Sequence, residues 1–215
     1  MKFYFDGDSF TYGGGLRKIG AVPEDVRWSR LVSDHFGAEE INLSSGGASN
    51  DTIMRQMFDK PSTEIYDFYF LQTTLPNRHE FYNTENKKWM RYRYEIDNLE
   101  DRCIKKYGSK EAPEFAKWIE FGFSRIYSDL YGKTKENITY NALKSYVASI
   151  GRDRRSFFST LVEPHMTDNK YDLNFSKKGL AFNRIRNDGH PSIWGHKRIA
   201  KYVIDIVSER LKSSS

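Results

Sequence analysis

The sequence predicts a single α/β domain in which a mainly parallel sheet is covered by helices on both faces. Short apolar runs at residues 2–5, 40–43, 66–71 and 157–162 have the length of buried strands, and helical patterns lie between them. Strands that alternate with helices form βαβ units, which build parallel sheets. The chain has 215 residues, 38% hydrophobic and 29% charged, and this composition is typical of a compact globular protein.

Three helices are expected from apolar residues at helical spacing. The first covers residues 25–36 and is followed by Gly37, which favours a helix end. The second begins at Ser49 or Asn50, since both residue types cap helices. The third is the amphipathic helix that closes the chain.

Residues 79–155 differ from the rest because they are highly charged and mostly helical in pattern. Two helical stretches in this segment are expected to end at Gly132 and Gly151. We interpret the segment as a helical elaboration within one domain that spans residues 1–215. Because it is inserted between the third and fourth strands, it is placed to act as a cap over a site.

Charge and cysteine content narrow the classes of function. The formal net charge is +5, from 34 basic and 29 acidic residues, and the charges are interleaved rather than gathered in a stripe. Nucleic acid is therefore not the expected partner, because nucleic-acid-binding proteins carry their basic residues in a clustered patch. No apolar run reaches the roughly 20 residues of a membrane span, and no signal peptide is visible. With Cys103 as the single cysteine, we expect a cytoplasmic, reducing location.

Several catalytic motifs fail on inspection. The run Gly132-Lys133-Thr134 ends like a phosphate-binding P-loop, but the required earlier glycine is replaced by Tyr127. The glycines at 13–15 lack the third glycine of a dinucleotide fingerprint, and no GxSxG nucleophile elbow occurs. Nucleotide-binding and α/β-hydrolase functions are thus not favoured.

Among the histidines, only His190 stands in a recognisable catalytic pattern. His79-Glu80 begins like a zinc-protease helix, yet Asn83 occupies the position of the second histidine. His196 is expected on the surface of the last helix. No metal site and no organic cofactor are therefore expected.

Two segments at opposite ends of the chain form a chemically sufficient set. Asp8-Ser9 directly follows the first predicted strand, where open α/β sheets keep their sites, and Asp188-Gly189-His190 precedes the last helix. A serine is a weak nucleophile until a base removes its proton, and the base needs a third group to orient it. Each motif alone also has a structural explanation, because Ser, Asp and Pro are common at helix starts.

These residues resemble the SGNH, or GDSL, hydrolases. Gly7-Asp8-Ser9 resembles the first sequence block of that family, in which the serine is the nucleophile. The second block has a glycine that binds the oxyanion, five residues after an Asn that ends the second strand. Asn42 and Gly47 have this spacing, with Gly46 as a close alternative. The resemblance implies a three-layer α/β/α sandwich of SGNH or flavodoxin-like topology.

The third and last blocks depart from the family pattern. The third block of the family reads Gly-x-Asn-Asp, whereas residues 72–78 of this chain read Gln-Thr-Thr-Leu-Pro-Asn-Arg. Thr74 falls nearest the usual Asn, and Asn77 and Arg78 are further candidates for the oxyanion contact. This variant resembles phage-encoded members. The last block usually reads Asp-x-x-His, and here Asp188 lies two residues before the histidine and Asn187 three before it. Asp188 is preferred, since a carboxylate stabilises an imidazolium.

By this resemblance the protein is a serine esterase with the triad Ser9, Asp188 and His190 and an oxyanion site at Gly47. Its substrate would be a carboxylic ester carrying an acetyl or acyl group on a carbohydrate or lipid. Two alternatives stay open. The altered third block could leave an impaired SGNH-fold binding module for carbohydrate or protein, or the chain could be a basic protein that contacts nucleic acid through residues 79–155.

Overall fold

The structure, a computed structural model, describes residues 1–59, 64–84, 87–93, 99–107, 112–122, 128–160, 171–174, 185 and 189–213. Seven strands lie in these ranges: β1 Lys2–Asp6, β2 Glu39–Asn42, β3 Phe68–Thr73, β4 Arg78–Asn83, β5 Lys88–Arg93, β6 Ser156–Thr160 and β7 Leu173–Asn174. The helices are α1 Ser9–Tyr12, α2 Pro23–Val26, α3 Trp28–His35, α4 Asn50–Phe58, α5 Leu99–Tyr107, α6 Ala112–Phe121, α7 Asp129–Ser149 and α8 Ile193–Lys212. In these ranges, no helix combines the length and apolar character of a membrane span.

Five strands form one sheet, in the order β2-β1-β3-β6-β7, and every neighbouring pair in it is parallel. Parallel sheets are covered on both faces, and their strands are therefore apolar throughout. The strand β3 follows this rule, since all six of its residues are buried. The predicted three-layer α/β/α fold with a central parallel sheet is confirmed.

The alternation of side chains along the strands produces two separate cores. On one face, phenylalanines of β1, β3 and β6 pack against α3 and α8, and the rings of Phe5, Phe70 and Phe157 stack with centroids 4.6 and 5.2 Å apart. On the other face, Tyr4, Leu71 and their neighbours pack against α4 and α7. Much of the aromatic content therefore belongs to the core, where such rings bury large areas.

The helix predicted at residues 25–36 is broken into α2 and α3. Arg27 has an extended backbone between them, with φ −66° and ψ 149°. Two long-range contacts explain the break. The Arg27 guanidinium binds the carboxylate of Glu40 at 2.8 and 3.0 Å, and the N–H of Trp28, which begins α3, donates to His196 Nδ1 at 3.2 Å.

The segment 79–155 also differs from expectation, because it begins with an antiparallel hairpin of β4 and β5. Its described remainder is helical, in α5, α6 and α7. The prediction that a helix ends at Gly132 is wrong. This residue lies inside α7, where its N–H donates to the carbonyl of Ser128, the helix cap, at 2.9 Å.

Candidate active site

The candidate site lies where the order of strand addition in the sheet reverses, next to β1. The chain goes from β1 to one side to form β2 and to the other to form β3, so the crevice at the carboxyl ends of β1 and β3 is a topological switch point. Ser9 begins α1 directly after β1, and Thr74 follows β3. The fold therefore brings the first and third sequence blocks to the same edge of the sheet.

Ser9 is held in a tight turn that leaves its hydroxyl available. Asp8 caps α1 by accepting the Phe10 N–H at 2.9 Å, and the Ser9 carbonyl accepts the N–H groups of Gly13 and Gly14 at 3.1 and 2.6 Å. The side chain of Ser9 makes no hydrogen bond within the described part of the chain, and the residue is 8% exposed. The backbone of Ser9 is thus fixed, while no described group occupies its hydroxyl, as a nucleophile requires.

His190 lies beside Ser9, and Gly14 shows how closely. A Cβ added to Gly14 would lie 2.9 Å from Nε2 and Cδ2 of His190, and equally 2.9 Å from the Cβ of Ser9. Imidazole and serine thus flank one point, and only a residue without a side chain fits there. The ring of Phe10 packs near the imidazole, with centroids 5.9 Å apart. The structure therefore brings together residues from the two ends of the chain.

The carboxylate of Asp8 is fully buried and organises the third block. Besides the hydrogen bond from the Phe10 N–H, it accepts hydrogen bonds from Gln72 Nε2 at 2.8 Å, from the hydroxyl of Thr74 at 3.0 Å and from Arg78 Nη1 at 2.8 Å. A buried charge needs such partners to offset the loss of water. The loop between β3 and β4 is therefore fixed directly to the residue before Ser9.

The third-block candidates have different environments. Thr74 is fully buried, its hydroxyl donates to Asp8, and its backbone is bound on both sides by the amide of Asn50, at 2.9 and 3.3 Å. Arg78 is half-buried, and in the described residues its Nε and Nη2 donate to no group. Asn77 lies in the turn between the strands and is not among the residues that bind Asp8.

Gly47 stands in an exposed turn that is linked to the first block. The N–H of Ala48 donates to the Ser45 carbonyl at 3.2 Å, and Gly47 has φ +72°, as the third residue of a type II turn requires. The Ser45 N–H donates to the carbonyl of Gly7, two residues before Ser9, at 3.2 Å. As expected, β2 ends at Asn42, so the second block begins at the carboxyl edge of the sheet.

The expectation that His196 lies on the surface of the last helix is wrong, because this side chain is fully buried. Its Nδ1 accepts the Trp28 N–H, so the neutral ring carries its proton on Nε2, which has no partner among the described residues. Burial is the main cause that lowers its pKa from 6.5 to about 4, and the nearby His190 and Arg27 add to it. This histidine is thus an uncharged part of the core.

Asp188 and its alternative Asn187, the sequence candidates for the group that orients His190, lie outside the described residues. Sequence reasoning missed Asn50 as a site-forming residue. Its only signal was its place next to the helix cap, which is Ser49 with a capping box to Thr52. Where the structure describes the chain, no three His, Cys, Asp or Glu residues come together as metal ligands would.

Comparisons with known proteins give a fold and no sequence relative. No protein-family model matches the sequence, and no curated protein resembles it. Among solved structures, the chain is similar to the psychrotrophic esterase EstA from Pseudoalteromonas sp., with TM-score 0.55 and 12% identity over 98% of each chain.

More distant likenesses include a member of the lipolytic protein G-D-S-L family from Veillonella parvula, with TM-score 0.42 and 14% identity over 97% of this chain and 98% of that one. An acetyl xylan esterase from Butyrivibrio proteoclasticus also has TM-score 0.42, with 15% identity over 98% of this chain and 64% of that one. The likeness to EstA agrees with the resemblance found in the sequence, and this chain has an SGNH-like hydrolase fold.

Proposed function

We propose that the protein is a serine esterase that cleaves a carboxylic ester through an acyl-enzyme on Ser9. The observation that carries the proposal is the packing of the Ser9 and His190 side chains about Gly14 at the carboxyl edge of the sheet. The fold supports it, because the solved structures that resemble this chain include the esterase EstA. The substrate we propose is an acetyl or acyl ester of a carbohydrate or lipid.

The reaction uses two acyl transfers. Ser9 Oγ attacks the ester carbonyl while His190 Nε2 takes its proton, and the C–O bond of the ester breaks as the leaving alcohol receives that proton. Water then attacks the acyl-enzyme, with His190 again accepting a proton, and releases the acid and free Ser9. Asp188 is our choice for the group that orients His190 and stabilises its positive charge.

The oxyanion of each tetrahedral intermediate needs preorganised donors. We assign the N–H groups of Ser9 and Gly47, and we assign the third-block donor to Arg78 rather than to Thr74. The single hydroxyl proton of Thr74 is already donated to Asp8, whereas Arg78 retains N–H groups on Nε and Nη2. A guanidinium also carries the positive charge that an oxyanion favours.

Hydrolysis of p-nitrophenyl acetate and labelling by a fluorophosphonate test the proposal. We expect wild-type turnover and labelling, and the loss of both in Ser9→Ala without a change in thermal unfolding. Ser149→Ala is the matched control, because this exposed serine ends α7 and its hydroxyl donates only locally, to the Tyr146 carbonyl. A folded Ser9→Ala protein that still turns over ester would refute the mechanism.

The binding-module alternative has one observation in its favour, which is that the Thr74 hydroxyl is occupied by Asp8. A folded wild-type protein that neither labels nor turns over would make this alternative the leading one. The nucleic-acid alternative is less favoured, because Arg91 is bound to Glu80 and Arg152 to the Tyr66 carbonyl. Binding to nucleic acid with a steep salt dependence would support it.

A further inference from the structure

The peptide between Gly46 and Gly47 lies in the exposed middle of the turn at residues 45–48. An added Cβ at either glycine would come within 4 Å of no described residue beyond its chain neighbours, so the two glycines are not packed against another part of the described chain. The carbonyl of Gly46 and the N–H of Gly47 belong to one planar peptide and point in opposite directions. Whatever binds that carbonyl therefore also sets the direction of the N–H that we assign to the oxyanion.

Arg91 is the side chain that reaches this carbonyl. Its Nη1 donates to the Gly46 oxygen at 3.4 Å. At the other end of the same turn, Arg78 Nη1 donates to the carbonyl of Ala48 at 3.5 Å. Both arginines belong to the β4–β5 hairpin, so this hairpin contacts the turn at two of its carbonyl groups.

Arg91 also contacts a buried carboxylate on the neighbouring strand. It pairs across the hairpin with Glu80, and its Nε lies 3.5 Å from the Glu80 carboxylate. The side chain of Glu80 is 1% exposed, and it also accepts two hydrogen bonds from Arg55, at 2.9 and 3.1 Å, and one from Thr52. The guanidinium of Arg91 is thus tied to α4 through a buried carboxylate.

We propose that Arg91 is a positioning residue for the oxyanion site. By holding the Gly46 carbonyl, it directs the Gly47 N–H toward the crevice, and its positive charge polarises that peptide so that the N–H becomes a stronger donor. This inference rests on the proposed esterase function. It gives the hairpin at residues 78–93 a part in the chemistry that is separate from any role as a cap.

The test compares Arg91→Met with Arg30→Met in hydrolysis of p-nitrophenyl acetate. Both substitutions remove an arginine that pairs with a carboxylate, Glu80 for Arg91 and Asp34 for Arg30, but only Arg91 contacts the Gly46 carbonyl. We expect Arg91→Met to lower kcat about tenfold with KM nearly unchanged, less than the loss of a direct oxyanion donor. Arg30→Met keeps the wild-type kcat, and Arg91→Lys recovers part of the loss because it keeps the charge.

An Arg91→Met enzyme with the kcat of Arg30→Met overturns the inference, and so does an effect of Arg91→Met that raises KM and leaves kcat unchanged. A kcat that falls only in proportion to unfolded protein, as measured by thermal unfolding, overturns it as well. The comparison is made after Ser9→Ala has been shown to abolish the turnover of the wild-type enzyme. If Ser9→Ala does not abolish turnover, the proposed esterase function has failed, which is a different result from failure of the Arg91 inference.

Discussion

The burial of His196 is expected to make the free energy of unfolding decrease at acid pH. Its native pKa is about 4, whereas an imidazole in the unfolded chain titrates near 6.5. As pH falls below 6.5, the unfolded chain binds a proton that the native protein does not, so the free energy of unfolding decreases. At about 1.4 kcal/mol for each pKa unit, this histidine lowers the stability by about 2 kcal/mol between pH 7 and pH 5.

The variant His196→Asn isolates this contribution. The Asn oxygen can accept the Trp28 N–H as Nδ1 does, but it does not titrate. Urea unfolding at pH 7 and pH 5 is expected to show a loss of stability about 2 kcal/mol smaller in the variant than in the wild type. His79, whose pKa burial and Lys135 lower to about 4, is present in both proteins and cancels in the comparison.

His35→Asn, which removes an exposed histidine, controls for histidine removal as such. Equal pH dependence in wild type and His196→Asn would refute the reasoning, since it would mean that the buried ring does not exclude a proton. A variant that is less stable than the wild type at both pH values, but whose free energy of unfolding falls about 2 kcal/mol less between them, would still support it. The deciding quantity is the change in the free energy of unfolding between pH 7 and pH 5, and not its value at either pH.

Two further predictions concern the site. In Gly14→Ala the new methyl group would meet both His190 and Ser9 at 2.9 Å, so we expect a folded protein in which kcat/KM for p-nitrophenyl acetate falls about 10²-fold, and wild-type activity would contradict the packing described above. Arg78→Met leaves the buried Asp8 carboxylate without its cation, so urea unfolding should show a loss of about 3 kcal/mol that Asp8→Asn in the same chain partly restores. An Arg78→Met protein as stable as the wild type would show that this pair compensates no buried charge.

The sequence patterns were sufficient for the fold because apolar runs and helical spacing are local signals. The four predicted strands all occur in the parallel sheet, and β7, with only two residues, was too short to leave a pattern. Ser9 and His190, the proposed nucleophile and base, were singled out for a different reason, since they are residue types with recognisable chemistry that stand next to element boundaries. Their proximity, in contrast, comes only from the order of the strands.

The features that sequence reasoning missed depend on contacts between distant parts of the chain. The break at Arg27 follows from Glu40 on the next strand and from His196, 168 residues after Trp28. The β4–β5 hairpin is made of charged strands whose alternation is weak, and it is fixed through Glu80 to α4. No local pattern records such partners, because each partner is chosen by the tertiary fold.

The Asp8 carboxylate has a consequence for how this site can change by mutation. Its partners come from α1, from Gln72 in β3, from Thr74 directly after β3 and from the first residue of β4. Substitutions at Thr74 and Arg78 are therefore energetically coupled to each other through one shared acceptor. An Asn at position 74, as in the usual SGNH pattern, would place an amide against a carboxylate already matched to a hydroxyl and a guanidinium. A substitution at either position therefore disturbs contacts of the other, and we expect paired changes at Thr74 and Arg78 to cost less stability than the sum of the single changes.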